Sequence, residues 1–356
     1  MKADRPRPSI SDVAQQAGVS PATVSRVLNN TAAVRDAVRQ RVLLAVSDLG
    51  YQAPPYTSAP ARLNSIALLI PDILNPYFTE VVRGVQTEGS ADGFMPLVLD
   101  TNEDPDLEQS FLRTLANQPV SGIIAVGSRI SNSNLISIRS HLSTPLVILN
   151  RIIHLPNIAC IVVDLENATY RATRHLLDLG HTRIAFLPGP ALSETSNLRR
   201  RGMEKALTEC GVDPSRAISP ASFPDIDGGF QAMSAILAAP TGERPTAVLC
   251  YNDLMAMGAL HAIRSHHLRC PEDISVIGID NIAMTAHTNP PLTTLSVPKK
   301  HLGRIAMTLL RRMIAGHPPP EDGYTLVECT LLLRESTGPC PRGTMDTKQE
   351  VNVSKI

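Results

Sequence analysis

A short stretch near the amino terminus carries side chains of the kind that recognise DNA. Arg26 can offer a bidentate pair of N–H donors to guanine, whereas Pro21 and Ala22 can offer only apolar contact, for instance to a thymine methyl group. Short polar side chains that suit phosphate oxygens lie around them, at Ser20, Thr23, Ser25 and Asn29. These residues in this order predict a surface that binds the major groove of DNA.

Two short helices separated by a tight turn would position these side chains. Ser9, with Asp12 three residues later, is typical of a capped helix start, and Gly18 is typical of a helix end. Ser20 followed by Pro21 predicts the start of a second helix, because a serine hydroxyl accepts hydrogen bonds from free amides and proline is tolerated at the first helical position. The pattern is that of a helix-turn-helix.

The second helix has one apolar face, which fixes the direction of its polar face. Val24 and Leu28 lie four residues apart and face inward, so Arg26 and its polar neighbours face outward. A third helix, predicted over residues 36–49 and ended by Gly50, closes the small domain. The composition alone also fits an ordinary helical hairpin with a solvated polar face, but the order, spacing and caps favour a DNA-binding motif.

Length and composition limit the classes of protein to which the chain can belong. The 356 residues suffice for two or more domains, and a hydrophobic fraction of 43% disfavours disordered and fibrous architectures. The 33 Lys and Arg balance 33 Asp and Glu, yet residues 1–60 hold seven Lys and Arg against four Asp, so the charge sum hides a basic segment. The six cysteines are scattered, so no disulfide framework, metal site or cofactor is predicted. The absence of long apolar runs favours a cytoplasmic protein.

Beyond residue 65, apolar runs alternate with helical segments. Eight runs predict buried strands, at 66–70, 96–99, 122–126, 146–149, 161–163, 184–187, 247–250 and 275–279. Such alternation is typical of parallel sheets covered by helices on both faces. About 270 residues are too many for one such sheet, so we predict an α/β core of two doubly wound parallel-sheet subdomains with a cleft between them.

Several blocks of residues, in fixed order and spacing, resemble the lactose/galactose repressor (LacI/GalR) family. They include Asp12-Val13-Ala14, Ala17-Gly18-Val19-Ser20, Ala22-Thr23-Val24-Ser25-Arg26-Val27-Leu28-Asn29, Asn75-Pro76-Tyr77-Phe78, Gly180-His181-Thr182-Arg183, Asn252-Asp253-Leu254-Met255 and Asp273-Ile274-Ser275-Val276. The resemblance runs through nearly the whole chain and ends at about Glu335.

The resemblance implies a helix-turn-helix head on a periplasmic-binding-protein-like core that works as a homodimer on a near-palindromic DNA operator. Family members sense a small molecule, usually a sugar or nucleobase, in the cleft between subdomains. The chain is therefore expected to be an allosteric transcriptional repressor in the cytoplasm, associated with the nucleoid. The alternative is a cytosolic solute-binding or enzymatic α/β protein whose helical head has no function.

With the resemblance included, the chain is divided into a head, a linker, a core and a tail. The helix-turn-helix domain takes 1–52, a Pro-rich linker 53–65, the effector-binding and dimerisation domain 66–336, and a polar tail 337–356. Within the core, subdomain one takes 66–163 and 297–323, and subdomain two takes 164–293 and 324–336.

The linker departs from the family pattern. Family members carry a hinge helix here, with a leucine that enters the minor groove at the operator dyad. In this chain the segment is short and contains Pro54, Pro55 and Pro60, and Leu63 is the candidate for the minor-groove contact. Whether a hinge helix forms stays open at this point.

Polar and aromatic side chains follow several predicted strands, where ligands of open α/β sheets bind. From the resemblance, Tyr77 and Phe78 would stack on a ring, and Asn252 and Asp280 would bond ligand hydroxyls or ring nitrogens. The remaining candidates for effector binding are Asn150, Arg151, Thr195, Asn197, Arg199 and Phe223. Arg151 and Arg199 together would suit an anion, so a sugar or a sugar acid is expected.

Each of these residues also has a purely structural interpretation. Asn252 and Asp280 can cap the next helix, Tyr77 and Phe78 can be core residues, and Arg199 can form a salt bridge on a solvated face. Enzymatic alternatives lack their motifs: no GxGxxG follows a strand, and no GxxxxGK[ST], HExxH or GxSxG occurs. An enzyme is therefore not predicted.

Overall fold

The computed structural model describes residues 8–29, 34–51, 64–140, 142–214, 221–321 and 323–341. The chain divides into two compact units, Met1–Leu63 and Asn64–Ile356. Most of the predicted linker, including the candidate minor-groove residue Leu63, lies outside the described residues.

The first unit is a three-helix head, formed by α1 (Ile10–Ala17), α2 (Pro21–Asn29) and α3 (Asp36–Leu49). The amide of Asp12 donates to the Ser9 hydroxyl at 3.3 Å, and the Asp12 carboxylate accepts the Ser9 amide at 2.7 Å, which confirms the predicted capping box. Gly18 ends α1 in the left-handed conformation, with φ of 64°.

The centre of the head is a small apolar cluster. Val13, Val24 and Val42, one from each helix, are fully buried there, and Leu28 packs against them. Val24 and Leu28 therefore face inward as predicted, and the opposite face of α2 is left to solvent.

The second unit alternates strands and helices. In chain order these are β1 (Asn64–Ile70), α4 (Pro76–Ser90), β2 (Phe94–Asp100), α5 (Pro105–Leu115), β3 (Gly122–Val126), α6 (Asn132–Arg139), β4 (Leu146–Leu149), β5 (Ile158–Val163), α7 (Leu165–Asp178), β6 (Ile184–Leu187), α8 (Glu194–Glu209), α9 (Ile226–Leu237), β7 (Ala247–Cys250), α10 (Asp253–Ser265), β8 (Ser275–Asp280), β9 (Thr293–Ser296), α11 (Lys299–Ile314), β10 (Tyr324–Val327) and β11 (Thr330–Leu332). All eight predicted strands are observed.

The strands form two sheets, as the alternation of strands and helices predicted. A six-stranded parallel sheet has the order β10-β5-β4-β3-β1-β2, and a five-stranded sheet has the order β11-β9-β8-β7-β6, in which only the β11–β9 pair is antiparallel. The central strands β3, β4 and β5 are buried along their whole length, as expected when helices cover both faces of a sheet. The predicted fold class is therefore confirmed.

Two expected boundaries differ from the structure. Strand β10 pairs in parallel with β5, so residues 324–327 belong to the first subdomain and not to the second, where the sequence placed 324–336. Residues 337–341 are not part of a free tail either. The carbonyl of Gly338 lies 3.0 Å from Nε2 of the buried His181, and the amide of Cys340 donates to the carbonyl of Leu179 at 2.9 Å.

Candidate functional site

A cleft between the two sheets collects side chains from the carboxyl ends of their strands. Its empty space is about 490 Å³, part of it open to solvent. The lining residues are Asn75, Tyr77, Phe78, Glu103, Gly127, Arg129, Asn150, Val163, Leu165, Thr195, Arg199, Pro224, Tyr251, Asn252, Asp280 and Val297. The loops after β1, β2, β3, β4 and β7 and the last residue of β8 contribute to it, which is where open α/β sheets bind ligands.

Seven of the ten predicted effector residues line this cleft: Tyr77, Phe78, Asn150, Thr195, Arg199, Asn252 and Asp280. The other three, Arg151, Asn197 and Phe223, do not. The Arg151 guanidinium donates instead to the carbonyl of Ile130 and to the side chain of Asn132. Asn197 is half-buried on α8, and Phe223 is 46% exposed. Their proposed contact with the effector is therefore not supported by their positions.

Tyr77 and Phe78 begin α4, which Asn75 caps by accepting the Tyr77 amide at 3.0 Å. Both rings are buried and meet edge to face, with their centroids 5.0 Å apart. They pack in the apolar core and also line the cleft, so the structural and the ligand-binding interpretations apply to the same side chains. Burial raises the pKa of Tyr77 far above its usual value, so its hydroxyl stays protonated.

Asn150 follows β4 in the left-handed conformation, with φ of 64°. Its Nδ2 donates to the Tyr77 hydroxyl at 3.3 Å. Its Oδ1 is buried and has no hydrogen-bond partner among the described residues. Because a buried acceptor without a partner is costly, this oxygen is ready to accept a hydrogen bond from a ligand.

Arg199 reaches the cleft from α8. Its guanidinium lies over the Tyr251 ring, 4.2 Å from the centroid, and its Nη2 lies 3.8 Å from Oδ1 of Asp280. Both members of this ion pair are buried, so the alternative of a salt bridge on a solvated face is wrong. Its Nε is buried without a partner among the described residues.

Asp280 ends β8 with φ of 118°, a conformation that non-glycine residues rarely adopt. No described residue donates a hydrogen bond to its carboxylate. Burial raises the pKa of Asp280 to about 7, although Arg199 and Lys299 act in the opposite direction. A strained backbone and a buried acid at one position are typical of functional sites.

Asn252 has a structural role that accounts for its side chain. Its Oδ1 accepts the amide of Met255 at 2.8 Å, which caps α10, and its Nδ2 donates to the carbonyl of Pro224 at 2.7 Å. The capping alternative is thus observed. Through Pro224, Asn252 also holds a second loop at the edge of the cleft.

Two charged residues of the cleft lining, Glu103 and Arg129, were absent from the predicted set. Glu103 and Arg129 form a buried ion pair of 2.5 Å, and Nη2 of Arg129 donates to the Tyr251 hydroxyl at 3.4 Å. Glu108 accepts the backbone amide of Arg129 at 2.7 Å and so holds its loop in place. Since Glu103 and Arg129 follow the predicted strands β2 and β3, the rule about strand ends would have found them.

Five of the seven predicted DNA-binding side chains are exposed or partly exposed on α2. Pro21, Ala22 and Arg26 are exposed, and Thr23 and Ser25 are partly exposed. The Ser20 hydroxyl accepts the Thr23 amide at 3.2 Å, as predicted for a helix cap, and is itself exposed. Asn29 belongs to the same helix.

The part of the chain that the structure describes shows neither a metal site nor a membrane-spanning helix. No group of three or more His, Cys, Asp or Glu there can hold a metal ion, and no helix there is long and apolar enough to cross a membrane.

Comparison with known proteins identifies relatives of both units. Residues 9–53 match the family described as bacterial regulatory proteins, lacI family, and residues 173–337 match the periplasmic binding protein-like domain. The HTH-type transcriptional repressor CytR of Escherichia coli (strain K12) is 34% identical over 337 residues, which cover 94% of this chain and 97% of CytR.

Solved structures give the same result. The Lac repressor dimer bound to operator and the anti-inducer ONPF matches with a TM-score of 0.72 and 28% identity, covering 94% of this chain and 100% of that chain. The complex of the transcriptional regulator CelR with cellobiose matches with a TM-score of 0.69 and 28% identity, covering 93% of this chain and 100% of that chain.

Proposed function

Because the chain belongs to the LacI family of bacterial regulatory proteins, we propose that its head binds a DNA operator with an affinity set by a small molecule in the cleft. Like its relatives, the chain is a transcriptional repressor and not an enzyme. One combination carries the proposal: a helix-turn-helix with an exposed Arg26, and a cleft with unpartnered polar atoms on Asn150 and Arg199, in the same chain. If the chain were a solute-binding protein whose head has no function, the helix-turn-helix with an exposed Arg26 would be unexplained.

On DNA, the residues of α2 divide into two groups. Arg26 would read a base edge, with Pro21 and Ala22 in apolar contact beside it. Ser20, Thr23, Ser25 and Asn29 would bind phosphates and so position the helix. Two such heads in a homodimer bind the two halves of a near-palindromic operator, as symmetry requires.

The effector is proposed to be a sugar. The transcriptional regulator CelR, whose structure resembles this chain, was solved in complex with the sugar cellobiose. In this chain Tyr77 and Phe78 offer rings for stacking, while Asn150, Thr195, Arg199 and Asp280 offer polar groups to hydroxyls. A sugar acid is the alternative effector.

The homodimer needs an apolar face, and strand β2 supplies one. It lies at the edge of the six-stranded sheet, and its side chains Met95, Leu97 and Val98 are 44%, 43% and 37% exposed. Exposed apolar side chains grouped on one edge strand are costly for a monomer. We propose that this strand lies in the dimer interface.

As a DNA-binding repressor of a bacterial family, the chain works in the cytoplasm, where the chromosome lies, and its association with the nucleoid is part of this proposal.

A direct test starts from DNA duplexes that the full-length protein selects from a random pool. The affinity of the protein for these duplexes is then measured as a function of salt concentration. We expect sequence-selective binding that weakens steeply with salt. Full-length protein that shows no such binding under any ligand condition would refute the regulator function.

A further inference from the structure

The ring of Tyr251 is held in place by the second subdomain. It follows β7, and a Cβ added at Gly189 would lie 2.6 Å from its ring atoms, so the ring packs directly on that backbone. The guanidinium of Arg199 lies over the ring, 4.2 Å from its centroid. The hydroxyl lies 3.0 Å from Oγ of Ser193 and 3.1 Å from Oγ1 of Thr195. Since all these partners belong to the second subdomain, that subdomain alone sets the position of the hydroxyl.

The guanidinium of Arg129 is held in place by the first subdomain. Its Nε and Nη2 donate to the carboxylate oxygens of Glu103 at 2.5 Å and 3.1 Å, and its Nη1 donates to the carbonyl of Gly127 at 2.6 Å. The backbone amide of Arg129 donates to the carboxylate of Glu108 at 2.7 Å. Because a bidentate carboxylate fixes the plane of a guanidinium, the first subdomain alone sets the direction of Nη2.

These two groups meet across the cleft, where Nη2 of Arg129 donates to the Tyr251 hydroxyl at 3.4 Å. Arg129 is 5% exposed and Tyr251 is 7% exposed, so little water competes for the bond. The distance is long for an N–H donor, which places the bond at the lower end of the range for charged donors. The bond costs little entropy, because both groups are ordered before the cleft closes. Protein atoms alone form it, so it needs no effector.

We propose that Tyr251 and Arg129 form a latch that favours the closed cleft before any effector binds. The latch rests on the proposed function of the cleft and goes beyond it, because it makes the protein itself a source of closure. Closure that two side chains supply is closure that the effector need not supply, so the latch sets how many core molecules are closed at rest. An effector then shifts an equilibrium that the latch has already biased.

Hydroxyl-radical footprinting of the full-length protein without effector tests the latch. Tyr251→Phe removes the hydroxyl and keeps the ring, so the open fraction should rise about three- to tenfold. Tyr77 and Phe78 line the cleft and are buried, so their oxidation rates should rise by the same factor. Phe186, which is fully buried in the core, should keep its rate. Unchanged rates at Tyr77 and Phe78, or an equal rise at Phe186, would overturn the proposal.

Tyr170→Phe is the matched control. The Tyr170 hydroxyl donates to Oε2 of Glu209 at 2.6 Å, and both residues lie in the second subdomain, so this loss should change no oxidation rate in the cleft. A rise like that of Tyr251→Phe would show that the loss of any tyrosine hydroxyl loosens the core, which would also overturn the proposal.

Arg129→Lys tests the other half of the latch. It keeps a positive charge beside Glu103 and loses the planar fork that directs Nη2 to Tyr251. It should raise the oxidation of the cleft residues by a similar factor, and the double variant with Tyr251→Phe should be oxidised no faster than either single variant. Additive effects would show that the two residues act separately and would overturn the latch.

The footprint needs no DNA, so the latch and the proposed function can fail separately. Wild-type protein that binds no operator duplex would contradict the proposed function. Unchanged footprints in protein that does bind its operator would overturn the latch alone.

Discussion

Arg26 is the residue on which base recognition is expected to depend most. It is exposed on α2, and no other residue of the predicted DNA-binding set can donate two parallel hydrogen bonds to guanine. Arg26→Ala should weaken operator binding by about 1–3 kcal/mol and relax the preference at one base pair. Equilibrium binding to duplexes substituted at each position measures both effects.

Arg26→Lys is the matched control, because it keeps the charge and loses the planar fork. It should relax the same base preference while keeping most of the salt dependence. A uniform loss of affinity over all sequences would show that Arg26 binds a phosphate instead.

Asp280 should make stability depend on pH. Burial raises its pKa from the usual 3.8 to about 7, with Arg199, Lys299 and Asp253 as its charged neighbours. Between these values the folded protein binds a proton that the unfolded chain does not, so this contribution to stability is full below about pH 4 and is lost as pH rises through about 7. The Tm difference between wild type and Asp280→Asn should therefore move in favour of the wild type as pH falls from 8 to 5. A difference that does not vary with pH would contradict the buried acid.

For single residues, the sequence predicted which loops line the cleft but not the direction of each side chain. Asn150 and Arg151 both follow β4, yet only Asn150 lines the cleft, because Arg151 turns toward Ile130. The pairing of Glu103 with Arg129 joins loops 26 residues apart and leaves no local pattern. Local spacing carries no information about such partners.

Helix packing in the core depends on close approach at glycine. Gly303 of α11 packs on α4, where an added Cβ would lie 2.2 Å from the carbonyl oxygen of Val81 and 2.9 Å from the Cα of Gly84. Gly303→Ala should therefore lower the free energy of unfolding by about 1–3 kcal/mol, since backbone atoms must move apart. Urea unfolding measures this change.

Gly242→Ala is the control, because nothing lies within 4 Å of its added Cβ. It should leave stability unchanged or raise it slightly. Equal effects of the two substitutions would contradict the close approach of α4 and α11.

Strand β2 gives the test of the dimer interface. Leu97→Asp places a charge among its exposed apolar side chains and should convert the dimer to a monomer, because an unpaired charge at the centre of an interface is strongly unfavourable. Size-exclusion chromatography with light scattering measures the mass. Ile136→Asp, at a side chain of α6 that is 53% exposed, should leave the dimer intact. Dimers of Leu97→Asp would place the interface elsewhere.

The strands with strong apolar runs were predicted, and the strands whose runs are interrupted by threonine or other polar residues were not. Strands such as β3 and β4 consist of consecutive buried aliphatic residues, which the sequence displays directly. Strands β9, β10 and β11 have three or four residues, several of them threonine, and their runs resemble loops. The sheet to which β10 belongs is decided by its pairing with β5, which is more than 150 residues distant, so no local pattern could assign it.

At the scale of the whole molecule, the cleft is a place where side chains of the two subdomains contact each other. Arg129 follows a strand of the first sheet, Tyr251 follows a strand of the second, and Nη2 of Arg129 donates to the Tyr251 hydroxyl at 3.4 Å. A ligand that bonds to Asn150 and Asp280 would join the same two subdomains. Such a ligand changes operator affinity only if it binds two conformations of the core with different affinities.

The most direct test of this account is the affinity of the full-length protein for its selected operator, measured with and without a saturating compound that calorimetry has shown to bind. The account predicts a change of about 5–150-fold, and the operator should change the affinity for the compound by the same factor. An operator affinity that stays the same while the compound is demonstrably bound would contradict the central claim.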